Sequence, residues 1–242
     1  MTRAFAIVLA LAAALPAGAS VATEPVDLEL VLLADTTGSI DEAEVRFQRQ
    51  GYAAALTDPA VLAAIGEGYH RRIAVTFVEW GDAQSQAVVV PWTVIDGADS
   101  AAGFARALLA APRRAHGPNA IGSALAVAHG LIDGNAYDGL RKVIDLSGDS
   151  ANSWGGVPVP AARAAALAAG ITINGLAILC RGCNGRPVAY DLEQAYAETI
   201  IGGPGSFVIT ADDMERFAEA VRRKLLLEIA GGPSAARLAT AR

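Results

Sequence analysis

The stretch that decides the fold reads VDLELVLLADTTGS and covers residues 26–39. Its first part, residues 26–34, is a short and nearly unbroken apolar run. Such runs are typical of strands that are covered on both faces, as in parallel sheets. The run ends at Asp35, and a loop rich in hydroxyl groups follows. The stretch therefore predicts a buried first strand whose carboxyl end carries a polar loop.

Strand-like and helix-like stretches alternate along the rest of the chain. Further strands are predicted at residues 73–80, 87–94, 143–146, 171–179 and 206–209. Helices are predicted at residues 41–56, 100–109, 121–132, 160–169, 191–200 and 212–229, and a short helical piece that ends at residue 65 follows a break at residues 58–59. This order predicts a doubly wound α/β fold, a mostly parallel six-stranded sheet with helices on both faces. Because only a short turn separates the second and third strands, we expect a hairpin and one antiparallel edge strand.

The amino-terminal residues have the pattern of a secretory signal peptide. A positive start at Arg3 precedes an apolar run that ends near Leu15, and small residues suited to cleavage follow. The run is shorter than the roughly 20 residues of a spanning helix, so we expect cleavage and no membrane insertion afterwards. We therefore expect a signal peptide at residues 1–22, one domain at 23–230 and a flexible tail at 231–242. The predicted location is periplasmic or secreted.

The net charge and the composition limit the kinds of partner that we expect the chain to bind. The chain has 242 residues and a formal net charge of −6, and its hydrophobic fraction of 53% is ample for a core. Without an excess of basic residues it has little to neutralise phosphates, so we expect no nucleic-acid partner.

The two cysteines, Cys180 and Cys183, are separated by two residues. In an exported protein the spacing favours a local disulfide that closes a loop. A redox motif or half of a zinc site are the alternatives. A thioredoxin-like motif would begin a helix early in its fold, and a zinc site would need a second ligand pair.

Oxygen-bearing side chains gather where the predicted sheet binds ligands. In open α/β sheets that place lies beyond the carboxyl ends of the strands, where the strand order reverses. Hard cations such as Mg²⁺ prefer oxygen ligands, and Mg²⁺ keeps several waters, which suits a sparse set. Taken singly, each loop is explained by turn formation and helix capping. The donors follow the first strand (Asp35, Thr36, Thr37, Ser39), precede a helix (Asn119) and follow the fourth strand (Ser147, Asp149, Ser150, Asn152).

Three separated motifs resemble those of von Willebrand factor type A (vWA) domains. Residues 35–39, Asp-Thr-Thr-Gly-Ser, resemble the Asp-x-Ser-x-Ser motif that opens the metal-ion-dependent adhesion site (MIDAS). Residues 122–125, Gly-Ser-Ala-Leu, resemble the family's helix start, and residues 147–150 stand where the family has Thr-Asp-Gly. The resemblance runs in order over residues 26–230, and it implies the doubly wound fold described above.

The resemblance also implies a metal site and a function. It places the ligands of Mg²⁺, or of Ca²⁺ or Mn²⁺, at Asp35, Thr37, Ser39, Asn119 and Asp149. An open coordination position would accept a carboxylate from a protein partner, so we expect a binding module and not an enzyme. The chain departs from the family at Thr37, at Asn119 in place of a threonine, and in the order around Asp149.

Three other interpretations remain open at the sequence level. A magnesium-dependent phosphatase could use Asp35 as nucleophile, but the general acid two residues on would then be Thr37. A Gly-Asp-Ser hydrolase could use Ser150, but all three histidines precede it, so no downstream base is present. The third alternative is a structural domain with a degenerate metal site.

The sequence also leads to predictions for four further side chains. Trp154 is a candidate exposed contact residue. Glu79 is a candidate acceptor for metal-bound water, because it ends a strand predicted beside the first. Asp145 lies in an apolar strand, so we expect it to be buried and paired. His129 lies in a predicted helix, where we expect an ordinary surface or packed histidine.

Overall fold

The computed structural model describes residues 23–179, 190–212 and 214–230. The predicted signal peptide, Cys180 and Cys183 with their expected disulfide, and the predicted tail all lie outside the described residues. The strands are β1 (Glu24–Val26), β2 (Leu28–Asp35), β3 (Ile73–Trp80), β4 (Gln86–Ile95), β5 (Tyr137–Gly139), β6 (Lys142–Gly148), β7 (Thr172–Ile178) and β8 (Val208–Ala211). The helices are α1 (Glu42–Leu56), α2 (Pro59–Gly66), α3 (Ala98–Ala110), α4 (Ile121–Asp133), α5 (Val159–Ala168), α6 (Leu192–Thr199) and α7 (Met214–Ala230).

The main sheet has six strands in the order β4-β3-β2-β6-β7-β8. All neighbours pair in parallel except β3 and β4, which form the antiparallel hairpin at one edge. The predicted doubly wound sheet with one antiparallel edge strand is therefore confirmed. In the part of the chain that is described, no helix has both the length and the apolar character of a membrane span.

The predicted first strand is divided at Asp27. The carboxylate of Asp27 accepts hydrogen bonds from the backbone amides of His70 at 2.9 Å and Arg72 at 3.4 Å, at the entry to β3. The chain before it forms β1, which pairs in parallel with β5 in a separate two-stranded sheet. The sequence analysis missed both short strands, since three residues are too few to show a periodicity.

Side chains of the sheet alternate between two apolar layers. In β2, Leu30 and Leu32 face a layer with α1, α2, α3 and α7, whereas Val31 and Leu33 face a layer with α4, α5 and α6. Every residue of β2 is buried, which is the pattern of a central strand covered on both sides. The packing on both faces fixes the position of the carboxyl end of β2, where the polar loop begins.

The strand order reverses between β2 and β6. From β2 the chain continues outward to β3, and from β6 it continues outward in the opposite direction to β7. Because β2 and β6 are parallel and adjacent, the loops that follow them meet at one edge of the sheet. This is the switch point at which open α/β sheets bind ligands.

A buried cluster of charges holds α7 on the sheet. The ammonium group of Lys224, on α7, lies 2.5 Å from a carboxylate oxygen of Asp145 and 2.6 Å from one of Glu228. All three side chains are buried, and the amide of Asn174 donates to Glu228 at 3.0 Å. Asp145 is therefore buried and paired, as expected, and its partner comes from the far end of the chain.

We predict that Lys224→Met greatly lowers the free energy of unfolding. The substitution leaves Asp145 and Glu228 buried without their counter-charge, and breaking a buried ion pair costs about 3–5 kcal/mol. Chemical denaturation measures the loss. The control is Arg72→Met, because the pair of Arg72 with Glu24 is about two-fifths exposed and is worth at most about 1 kcal/mol. Equal losses for the two variants would contradict the assignment.

Candidate metal site

Asp35 is the deepest polar group at the switch point. Its side chain is fully buried, and Oδ1 accepts the backbone amide of Thr37 at 2.8 Å. Oδ2 is also buried, and none of the described residues gives it a well-formed hydrogen bond. A buried carboxylate oxygen without a partner is costly, so this atom needs a proton or a cation.

Asp149 lies close enough to Asp35 for the two carboxylates to repel each other. The pKa of Asp35 is raised to about 7, first by burial and then by the charge of Asp149, while hydrogen bonds from the amide and hydroxyl of Thr37 and from the backbone of Asp149 lower it. Burial also raises the pKa of Asp149, and a hydrogen bond from Ser39 lowers it. Two such carboxylates favour a shared positive charge between them.

Hydroxyl groups extend from this pair toward the surface. Thr37 is buried, and its Oγ1 lies 3.3 Å from Oγ of the exposed Ser39. Ser39 in turn donates to Asp149. Both hydroxyls belong to the turn before α1, whose first amides are capped by Asp41.

Backbone hydrogen bonds tie the three loops together. The amide of Gly38, in the first loop, donates to the carbonyl of Gly117 at 3.0 Å. The amide of Trp154, in the loop after β6, donates to the carbonyl of Asn119 at 2.5 Å. Gly117 has a φ of 104°, a left-handed conformation that favours glycine. The loops therefore hold each other in place without a ligand, which is the preorganisation that a binding site requires.

The loops surround a cavity of about 470 Å³. Trp154 at its edge is 65% exposed, as expected for a contact residue. Among the five residues predicted by resemblance, Ser39, Asn119 and Asp149 form part of its lining, whereas Asp35 and Thr37 are buried and do not line it. The lining comprises Gly38, Ser39, Gly117, Pro118, Asn119, Asp149, Ser150, Asn152, Trp154 and Tyr190.

Two expectations outside the ligand set have different outcomes. Glu79 is already bonded at both carboxylate oxygens, since Oε1 pairs with Arg49 and Oε2 accepts the amide of Arg114 at 2.9 Å. Its role as an acceptor for metal-bound water stays a prediction, and its ion pair with Arg49 on α1 could not be placed from sequence. His129 is an ordinary histidine, paired at 3.1 Å with Asp133 one turn later.

The sequence did not lead us to include three residues of the site. Tyr190 follows a turn-like stretch that gave no reason to place it at the cavity. Arg113 donates to the carbonyls of Thr36 and Thr37. The sequence does not reveal this contact, because Arg113 is far from both threonines along the chain. Gly148 carried a signal, because a glycine directly before Asp149 is suited to a close approach. A Cβ there would lie 2.9 Å from Oδ2 of Asp35 and from the hydroxyl of Tyr196.

The donors present fit a hard divalent cation. Within the described ranges, no three His, Cys, Asp or Glu side chains cluster as a metal site. The set therefore depends on two carboxylates, two hydroxyls and the amide of Asn119, all of which offer oxygen. Such a set suits Mg²⁺, which needs few protein ligands and retains waters. The unpartnered Oδ2 of Asp35 agrees with this assignment.

A comparison of the sequence with known protein families gives a match over most of the chain. Residues 25–233 match the family described as "Protein of unknown function (DUF1194)". The chain belongs to this family. No curated protein matches its sequence at a significant level.

Solved structures similar to this DUF1194 chain include a pilus adhesin and a protein of the mussel byssus. The pilus adhesin SpaC of Lactobacillus rhamnosus GG has a TM-score of 0.59 at 14% identity, over 85% of this chain and 31% of the adhesin. Proximal thread matrix protein 1 of the mussel byssus has a TM-score of 0.59 at 16% identity, over 86% of this chain and 49% of that protein. One structure of the mussel protein has a zinc-occupied MIDAS motif.

A third structure matches over almost its whole length. The vWF domain of the pili tip protein Mfa5 of Porphyromonas gingivalis has a TM-score of 0.54 at 10% identity, over 84% of this chain and 94% of that domain. The chain thus spans less than half of the adhesin and of the mussel protein, and almost all of the Mfa5 domain. At these identities the likeness shows the fold alone, and that fold is vWA-like.

We predict that Gly148→Ala weakens Mg²⁺ binding. The added Cβ would displace the carboxylate of Asp35 or the hydroxyl of Tyr196, and disturbing the support of a ligand typically costs about 10–100-fold in metal affinity. Calorimetric titration measures the change. Gly130→Ala is the matched control, because its Cβ would enter open space on α4. An unchanged affinity in Gly148→Ala would contradict the placement of Asp35 in the site.

We further predict that Asp35→Asn stabilises the metal-free protein above neutral pH. The pKa of Asp35 is about 7 when folded, against 3.8 ordinarily, so the folded state resists its ionisation. The contribution of Asp35 to the free energy of unfolding is therefore greatest below pH 4 and falls as the pH rises to 7, by at most about 4 kcal/mol. Because asparagine does not ionise, Asp35→Asn removes this loss of stability.

Chemical denaturation in chelator at pH 4 and pH 8 tests the prediction. Asp35→Asn should gain stability over the natural protein at pH 8 and show little gain at pH 4. The control is Asp138→Asn, because Asp138 is exposed on β5 away from the site. A gain of equal size at both pH values would show that ionisation of Asp35 is not its source.

Proposed function

We propose that this chain is a binding module of the vWA type, which holds a divalent cation and through it a carboxylate of a protein partner. The observation that carries the proposal is the pair Asp35 and Asp149, whose carboxylate charges interact. One buried oxygen of Asp35 has no hydrogen bond among the described residues, and Asp149 lines the cavity. The vWA-like fold of adhesins and of a MIDAS-bearing mussel protein supports the proposal. We propose Mg²⁺ as the cation, with Ca²⁺ or Mn²⁺ as substitutes.

Each proposed ligand has a distinct part. Asp149 and Ser39 line the cavity and would hold the cation directly, whereas Asp35 and Thr37 are buried and would act directly or through water. Asn119 stands where the resemblance places a threonine. Its longer side chain still offers a carbonyl oxygen, which is a competent ligand for a hard cation. Partner binding would then use a coordination position that faces the cavity.

We also propose that the chain is not an enzyme. A phosphatase with Asp35 as nucleophile would need an acid at position 37, and the side chain there is a buried threonine beside Ser39. Ser150 has no histidine among its hydrogen bonds, since its Oγ accepts the amide of Asn152 and lies 3.4 Å from the hydroxyl of Tyr190. An exported protein is the proposed context, periplasmic or secreted.

The proposal predicts Mg²⁺ binding that depends on Asp149. Titration of Mg²⁺ into the full chain should give a saturable heat, and Asp149→Asn should weaken the affinity at least about tenfold, because a ligand matters no less than its supporting partners. Asp138→Asn, an exposed acid on β5, should leave the affinity unchanged.

Two outcomes would overturn this proposal. Identical titration curves for the natural protein and Asp149→Asn would remove the metal site and leave a structural domain. Turnover of p-nitrophenyl phosphate that is lost in Asp35→Asn would replace the binding module with a hydrolase.

A further inference from the structure

Two aromatic side chains stand at the edge of the cavity. Trp154 is 65% exposed and Tyr190 is 40% exposed, and both belong to its lining. We call this pair the aromatic rim. Exposed tryptophan and tyrosine are the residue types that contribute most often to the energy of protein interfaces.

Hydrogen bonds hold the aromatic rim in position. The backbone amide of Trp154 donates to the carbonyl of Asn119, which belongs to the proposed ligand set. The hydroxyl of Tyr190 accepts the amide of Ala151 at 2.9 Å and lies 3.4 Å from Oγ of Ser150. The hydroxyl is thus already engaged, so Tyr190 offers the cavity mainly its apolar ring. Contact surface that is fixed before binding loses little entropy when a ligand arrives.

The cavity is also larger than the proposed metal chemistry needs. A cation with three waters and one carboxylate fills roughly 150 Å³, if each group takes about the volume of a water molecule in the liquid. The cavity has about 470 Å³. Because the aromatic rim belongs to the lining of this larger cavity, the cavity has room for a side chain next to the carboxylate.

We infer that Trp154 and Tyr190 determine specificity by receiving a large apolar or aromatic side chain adjacent to the partner's coordinating carboxylate. The inference rests on the proposed function, which supplies the cation that holds the carboxylate. The partner segment therefore carries an Asp or Glu beside an apolar residue. An acidic sugar is the competing occupant, and the test includes one as a probe.

The test compares the affinities of short peptides and of an acidic sugar for the full chain at saturating Mg²⁺. The probes are acetyl-Phe-Asp-Gly-amide, acetyl-Gly-Asp-Gly-amide, acetyl-Phe-Asn-Gly-amide and glucuronate, with affinities measured by NMR titration. The Phe-Asp peptide should bind roughly three- to tenfold tighter than the Gly-Asp peptide, as one aromatic contact provides. The Phe-Asn peptide, which lacks the carboxylate, should not bind.

Variants locate the effect at the aromatic rim. The affinity ratio of the Phe-Asp and Gly-Asp peptides should fall toward one in Trp154→Ala and in Tyr190→Ala. It should persist in Tyr69→Ala, since Tyr69 is 84% exposed before β3, at the opposite end of the sheet. Using a ratio keeps the result independent of any general loss of affinity in a variant.

The outcomes separate this inference from the proposed function. A ratio near one in the natural protein, with chelator-sensitive binding of both acidic peptides, would overturn the role of the aromatic rim and leave the proposed function intact. Tighter binding of glucuronate than of the Phe-Asp peptide would overturn the peptide partner in favour of an acidic sugar. Absence of binding by every acidic probe would overturn both proposals.

Discussion

The approach of two carboxylates at the ends of adjacent parallel strands is the constraint on which the site depends. Asp35 ends β2 and Asp149 directly follows β6, so the pairing of these strands fixes their separation. Burial leaves one oxygen of Asp35 without a partner and raises the pKa of that carboxyl to about 7. An arrangement of this kind lowers the stability of the metal-free fold, and a cation between the carboxylates would reverse that loss.

The rest of the fold keeps this unfavourable pair in place. Apolar layers cover both faces of β2, and the buried cluster around Lys224 fastens α7 to β6. Above the sheet, the loop bonds through Gly117 and Asn119 connect the first strand's turn with the loop after β6. The same bonds set the position of Trp154, so the proposed metal and partner contacts share one rigid framework.

The sequence allowed the fold to be predicted better than the surroundings of the site. Continuous apolar runs such as residues 28–35 predict buried parallel strands, because both faces need covering. The resemblance predicted that five residues lie together at the carboxyl edge of the sheet, and the structure places them there. The pairing of Glu79 with Arg49 could not be predicted, since it depends on how α1 packs across β3. The divided first strand and the position of Tyr190 likewise depend on contacts distant in sequence.

The most direct measurement is the anomalous diffraction of a crystal of the full chain grown or soaked with Mn²⁺, which substitutes for Mg²⁺ and scatters anomalously. The account predicts one strong peak in the cavity, coordinated by Asp149 and Ser39 and next to Asn119. Loss of the peak in Asp149→Asn crystals would support the assignment. A cavity without a peak at saturating Mn²⁺, or a peak held by other residues, would contradict it.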